Sequence, residues 1–222
     1  MLTPNAGALR TATFREIMSA FPPKEADVLF DLGAGPCIFA KIAKKAGYDV
    51  VAVDARDERI PDDLNEVRFV HCDVRTCDIS SGDVICILGL FYHLDLETQI
   101  DLLKRVPNHA LAIIDTQIHV PDEIPENASS RFQEASEQGY EGAFFTEGNN
   151  PMASVGNERS FIHTPDSMER LLTNTGFSQT ARPYPDYVSK YGARGWFLAA
   201  KSQFPTPLPS AGLTTLLRER QS

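Results

Sequence analysis

Residues 28–54 read VLFDLGAGPCIFAKIAKKAGYDVVAVD, and the order of residue types in this stretch decides the fold. An apolar run ending at Asp31 predicts a buried strand. PCIFAKIAKKAG (36–47) predicts a helix, with Pro36 near its first turn and Gly47 at its end. DVVAVD (49–54) predicts a second strand. Strand, glycine-containing turn, helix and strand make one unit of a parallel sheet.

The same rhythm continues outward. VRFVHCD (67–73), DVICILG (83–89) and HALAIIDT (109–116) predict three further strands, with a helix over ETQIDLLKRVPN (97–108). Strands this continuously apolar are covered on both faces, so the expected core is α/β with a mostly parallel sheet. Toward the N-terminus, residues 8–21 space Leu9, Phe14, Met18 and Phe21 as a helix does, and Pro22-Pro23 end the pattern. After residue 116 the alternation stops. Residues 116–163 carry Pro121, Pro125 and the glycine- and asparagine-rich EGNNPMASVGNERS, which is too long for a plain connection and predicts a substrate-covering, lid-like insert. TPDSMERLLTNTGF (164–177) restores a helix, with Thr164 as N-cap, Pro165 at its first position and Gly176 as its stop. SQTARPYPD and GWFLAAKSQ predict two closing strands, and the tail 204–222 is expected to dock on the body.

The 222 residues suffice for one domain, 1–222, and hardly for two. A net charge of -9 opposes phosphate backbones, and the insert repeats that bias, with eight acids against Arg131 and Arg159 between 121 and 160. Nucleic acid is therefore not the expected partner. No apolar run approaches the ~18 residues of a membrane span, and no secretory core follows Arg10 and Arg15. Cys37, Cys72, Cys77 and Cys86 lack the C-x-x-C spacing of a zinc or redox site and are expected as reduced thiols. These features predict a cytoplasmic protein, a monomer or homodimer acting on a small molecule.

Gly33 and Gly35 between strand and helix permit close backbone approach to a ligand, although a tight turn alone would also call for them. Cys37 stands where a third glycine often does, so the dinucleotide fingerprint is incomplete. Asp54, 19 residues beyond Gly35, ends the second strand, where a carboxylate can accept both hydroxyls of a ribose. Asp31 before the turn would repel a pyrophosphate and suit a free ammonium group, directly or through a water. Asp73 at the third strand end can meet an adenine amino group. Ribose, ammonium and adenine together describe S-adenosylmethionine.

DLGAGP (31–36), VAVD (51–54), HCDV (71–74), DVICILGLFYHL (83–94) and LAIIDT (111–116) make the chain resemble the class I S-adenosylmethionine-dependent methyltransferases from about Val28 to Lys201. The resemblance implies a Rossmann-like seven-stranded sheet with an antiparallel last strand and helices on both faces. It implies that Asp31, Gly33 and Gly35 embrace the methionine part and that Asp54 with Ala55 binds the ribose. Asp73 and Val74 would flank the adenine, and Leu88 and Gly89 would line the floor under the sulfonium. A dehydrogenase would instead need a substrate domain that this length hardly provides.

Methyl transfer needs alignment and sometimes a base. His93, just beyond the fourth strand, is the expected base, and capping the next segment is its structural alternative. Tyr92, Asp115, Tyr140, Arg159 and His163 are the expected acceptor contacts. Asp115 and His119 do not assemble a magnesium-binding set, so no metal is expected. The implied activity is methylation of a small organic acceptor, oxygen ahead of nitrogen. GLFYHL also resembles the corresponding segment of wobble-uridine tRNA-modifying enzymes, which leaves an RNA-directed transferase as one alternative. A catalytically silent, cofactor-binding partner subunit is the other.

Overall fold

Each central strand is apolar on both sides, and the two sides feed two separate cores. In the computed structural model, which describes residues 3–124, 126–147, 155–182, 184 and 186–204, helix α1 spans Ala6–Ala20. It leads into β1 (Val28–Leu32), α2 (Ile38–Lys45), β2 (Asp49–Asp54), β3 (Arg68–His71) and β4 (Val84–Leu88). Then follow α3 (Leu96–Arg105) and β5 (Leu111–Gln117). Phe30, Val51, Val53, Ile85, Ile87, Ala112 and Ile114 face one core, with the buried side chains of α3. Leu29, Val50, Ala52, Cys86 and Ile113 face the other, with Phe14, Ile17, Ala40 and Ala43 of α1 and α2. This period-two division between two apolar cores is why these segments read as unbroken apolar runs.

The insert holds β6 (Phe132–Glu137), β7 (Tyr140–Thr146) and β8 (Arg159–His163), and the chain closes with α4 (Pro165–Asn174), β9 (Gln179–Ala181), β10 (Tyr187–Ser189) and β11 (Gly192–Ala200). The large sheet runs β10-β11-β5-β4-β1-β2-β3, with β9 also paired to β11. β3, β2, β1, β4 and β5 are mutually parallel, and β11 pairs antiparallel with β5. The predicted fold class is the observed one, with three corrections. β9 and β10 both pair with β11, so the closing part has three strands where two were expected. The insert builds its own antiparallel sheet β6-β7-β8, joined at Gln138 and Gly139 through positive φ values of 52° and 83°. The predicted helix at 8–21 begins earlier, at Ala6. Of the predicted tail, Phe204 packs its ring 6.4 Å from that of Phe21, and residues 205–222 lie outside the described residues. Among the described residues no helix is long and apolar enough to cross a membrane.

Chain order reverses between β1 and β4, so the loops after these strands diverge and leave a crevice at the carboxyl ends of the sheet. Helix α2 leaves that crevice from an N-cap, Cys37, with φ of 54° and no side-chain capping bond. Asp31 supplies the cap from the end of β1: its Oδ2 accepts from Ala40 N at 3.0 Å, the donor an N-cap side chain would normally satisfy. The carboxyl is 1% exposed. Burial pushes its pKa from 3.8 up to about 7, against the Ala40 bond; Asp54 adds to the rise and Arg10 opposes it. A raised carboxyl pKa contributes stability that is complete below the unfolded value and lost as pH climbs through the folded one. The Asp31→Asn protein, which keeps an acceptor for Ala40, is therefore expected to gain melting temperature relative to the native chain between about pH 4 and pH 8. Parallel melting curves across that range would show that Asp31 binds protons alike in the folded and unfolded chain, so that burial does not raise its pKa.

Candidate functional site

The turn after β1 is tied to its neighbour before any ligand is considered. Gly33 N and Ala34 N donate to Val53 O at 2.8 and 3.1 Å. Gly33 and Gly35 have φ of 71° and 48°, and a Cβ on Gly33 would stand 2.9 Å from Leu90 Cβ. Glycine is thus required at position 33 by both conformation and space. Asp54 accepts from Gly35 N at 2.8 Å and from Arg56 N at 3.0 Å, so it shapes the turn as well as facing the crevice.

A cavity of about 350 Å³ opens here. Gly33, Gly35, Asp54 and Ala55 line it, as do Asp73, Val74, Leu88 and Gly89 beyond the neighbouring strands. The sequence-predicted cofactor residues are thereby brought together, except for Asp31. That residue lies beneath the turn as the α2 cap, away from the cavity wall. Asp73 is held by Arg75, whose Nε lies 3.0 and 3.1 Å from the two carboxylate oxygens. Burial would raise the Asp73 pKa, and the Arg75 bonds and charge override it and lower it. The same guanidinium reaches Val155 O of the insert at 2.5 Å.

Another wall of the cavity is the 3-10 turn Phe91–His93 after β4. Tyr92 and His93 line the cavity with their rings 4.2 Å apart. His93 Nδ1 lies 3.0 and 3.2 Å from the carboxylate oxygens of Glu147, a residue of the insert only 3% exposed. Asn157, beyond β7, donates to His93 O at 2.9 Å. Sequence reading counted Glu147 only among the insert's acids. Nothing local distinguishes it from the seven others.

Four predicted acceptor contacts are placed elsewhere. Asp115 is fully buried, bonded by Arg10 Nε at 2.7 Å, Arg194 Nη2 at 2.8 Å and Tyr187 Oη at 3.1 Å, and anchors α1, β10 and β11 to β5. Burial would raise its pKa, and the Arg194 and Arg10 charges hold it below the usual carboxylate value. Tyr140 is buried and accepts from Asn174 Nδ2 at 3.0 Å. Arg159 lies over the Phe144 ring at 3.6 Å, and His163 is buried between Ser167 and Gln99. None of these four lines the cavity. Arg10 does line it and was not singled out. Its one sequence signal was helical spacing from the buried Phe14 and Ile17, which puts it on the inward stripe of α1. Among the described residues no three His, Cys, Asp or Glu side chains gather as a metal-binding group.

No protein-family model matches the sequence, and no curated protein matches it. Solved structures do. The chain is 18% identical to the N-terminal domain of EvdMO1 crystallised with SAH, over 90% of this chain and 82% of that one, with a TM-score of 0.63. It is 15% identical to Burkholderia thailandensis 1,6-didemethyltoxoflavin-N1-methyltransferase, solved with its substrate and S-adenosylhomocysteine, over 86% and 77% of the two chains at a TM-score of 0.57. Magnesium protoporphyrin IX methyltransferase from Synechocystis PCC 6803, solved with SAM, gives 13% identity over 88% and 80% of the chains at 0.57. With its strand order, its glycine turn and these neighbours, the chain has the fold of the class I S-adenosylmethionine-dependent methyltransferases.

Proposed function

We propose that the protein binds S-adenosylmethionine in this cavity and transfers its methyl group to a small organic acceptor, an oxygen nucleophile ahead of a nitrogen one. The observation that carries the reading is the His93–Glu147 pair on the wall of a cavity built from a glycine turn and two strand-end carboxylates. The cavity's chemistry suits the cofactor. Asp54 offers acceptors to ribose hydroxyls, Asp73 and Val74 border the space for adenine, and the Arg10 guanidinium offers donors to the carboxylate of the amino-acid part. A Cβ on Gly89 would stand 3.0 Å from Arg10 Nη2, so the glycine leaves that guanidinium its room.

Bound S-adenosylmethionine supplies an electrophilic methyl on a positively charged sulfur. The chain's own residues do the rest. Glu147 at Nδ1 favours the tautomer protonated there and leaves Nε2 of His93 unprotonated, able to take the proton of an acceptor hydroxyl. Glu147 then stabilises the imidazolium, as a buried carboxylate behind a histidine does. Tyr92, packed on His93 and lying under the Arg194 guanidinium at 4.9 Å, forms the aromatic side of the acceptor space.

Calorimetric titration with S-adenosylhomocysteine is expected to show micromolar binding that weakens at least about tenfold in Asp54→Ala, the loss expected when charge-assisted bonds to the ribose go. No binding by the native chain would overturn the reading. Arg10→Gln is expected to weaken S-adenosylhomocysteine by about tenfold and to leave 5′-methylthioadenosine, which lacks the amino-acid part, unchanged. Equal losses on both ligands would remove the carboxylate assignment. In a panel of phenols, hydroxy acids and amines followed by S-adenosylhomocysteine release, His93→Ala and Glu147→Gln are each expected to lower turnover about a hundredfold at unchanged S-adenosylhomocysteine affinity. Full turnover in both variants would end the base assignment.

A further inference from the structure

We propose that Gln99 is the positioning residue for His93, at the hub of a buried hydrogen-bond network whose direction three backbone carbonyls set and His163 completes. The proposal rests on the reading of His93 as the proton acceptor. Gln99 occupies the inward stripe of α3 with Leu96, Leu102 and Leu103, where an apolar residue would be the ordinary choice, and it is 0% exposed. Its Nε2 lies 3.0 Å from Phe91 O, 3.1 Å from Leu94 O and 2.7 Å from Phe161 O. Carbonyl oxygens only accept, so the amide must turn its NH₂ end to all three.

That orientation dictates the next link. Gln99 Oε1 is left facing His163 Nε2 at 2.8 Å, so His163 carries its proton on Nε2. Its Nδ1 then accepts from Ser167 Oγ at 2.9 Å. Burial pushes the His163 pKa down to about 3, which keeps the ring neutral and the direction of the chain of bonds unchanged at ordinary pH. The rings of Phe91, Tyr140 and Phe161 surround the imidazole, so no alternative partner competes.

Phe91 O and Leu94 O bracket Tyr92 and His93, one on each side of the cavity-wall turn. The third carbonyl, Phe161 O, belongs to β8 of the insert, and Phe161 N returns a bond to Leu94 O at 3.1 Å. Gln99 therefore binds together the turn that carries His93 and the sheet that carries Glu147. The 3.0 Å contact between His93 and Glu147 spans those two bodies, so its length depends on how they are docked. Truncating Gln99 would also leave the His163 Nε2–H buried without an acceptor.

The test uses long-range proton–nitrogen spectra of the five histidine rings, with S-adenosylhomocysteine titration and melting curves alongside. In the native protein His163 is expected as the Nε2–H tautomer without titration from pH 5 to 9, and His93 as the Nδ1–H tautomer. In Gln99→Leu and in His163→Phe, which keeps the ring volume, the His93 signals are expected to move toward the mixture of tautomers of an unconstrained imidazole, with S-adenosylhomocysteine affinity within about twofold of native. His163→Gln keeps an N–H where Nε2 stood and is expected to restore the His93 signature. If Gln99→Leu does not fold, the contrast between His163→Phe and His163→Gln decides alone. An unchanged His93 tautomer in the folded variants overturns the proposal, as does a loss of ligand affinity in step with it, which would mark general loosening of the site. Absence of ligand binding by the native chain would instead remove the proposed reaction, and the tautomer comparison would still separate the two.

Discussion

A single buried carboxylate, Asp115 within β5, holds three otherwise separate parts of the molecule in one place. It receives Arg10 from α1, Arg194 from β11 and the Tyr187 hydroxyl from β10. A carboxylate taken wholly out of water costs several kcal/mol unless charge and hydrogen bonds replace the solvent, and here two guanidiniums do so. The cluster fastens the N-terminal helix and the closing strands to the central sheet beside the β1–β4 crevice. With two cations on one anion it carries excess positive charge to the cavity edge, where Arg10 emerges between Gly89 and Phe39. The group that reads in sequence as an acceptor contact is thus engaged in joining these elements beside the cavity.

The insert works by a related logic at the other end of the cavity. Its sheet packs Tyr140 and Phe161 into the core that it shares with α3 and α4, and named polar links add to that packing: Glu147 and Asn157 on His93, Phe161 on Leu94, and Val155 on Arg75. Because Arg75 also grips Asp73, the insert touches the cavity at both Asp73 and His93. Polar links of this kind add direction to the apolar packing and specify one docking geometry.

Legibility in the sequence followed the range of the signal. The strands were readable because two-sided burial leaves an unbroken apolar run, and Thr164 and Pro165 were readable because caps act within one turn of helix. Of the three insert strands, which were missed, FQEASE is largely solvent-facing and carries little apolar periodicity, whereas YEGAFFT and RSFIH are mostly buried but sit in a segment whose prolines, glycines and asparagines read as a loop. Asp31 was assigned to a ligand because its position at a strand end is shared by caps and binding groups alike. Its capping use is visible only in the 3.0 Å bond to Ala40.

By itself, the sequence determined the order of strands and helices from β1 to β5, the glycine turn after β1 and the acids at the end of β2 and beyond β3, since each is written in residues that are neighbours along the chain. Only the tertiary structure decided which side chains meet across the cavity. Arg10 and Asp115 are 105 residues apart, His163 and Gln99 64, and His93 and Glu147 54. Such pairs leave no periodicity to read: any of several acids or histidines would satisfy the local pattern equally, and the choice is made when the packed sheet and its insert bring one of them within hydrogen-bonding distance.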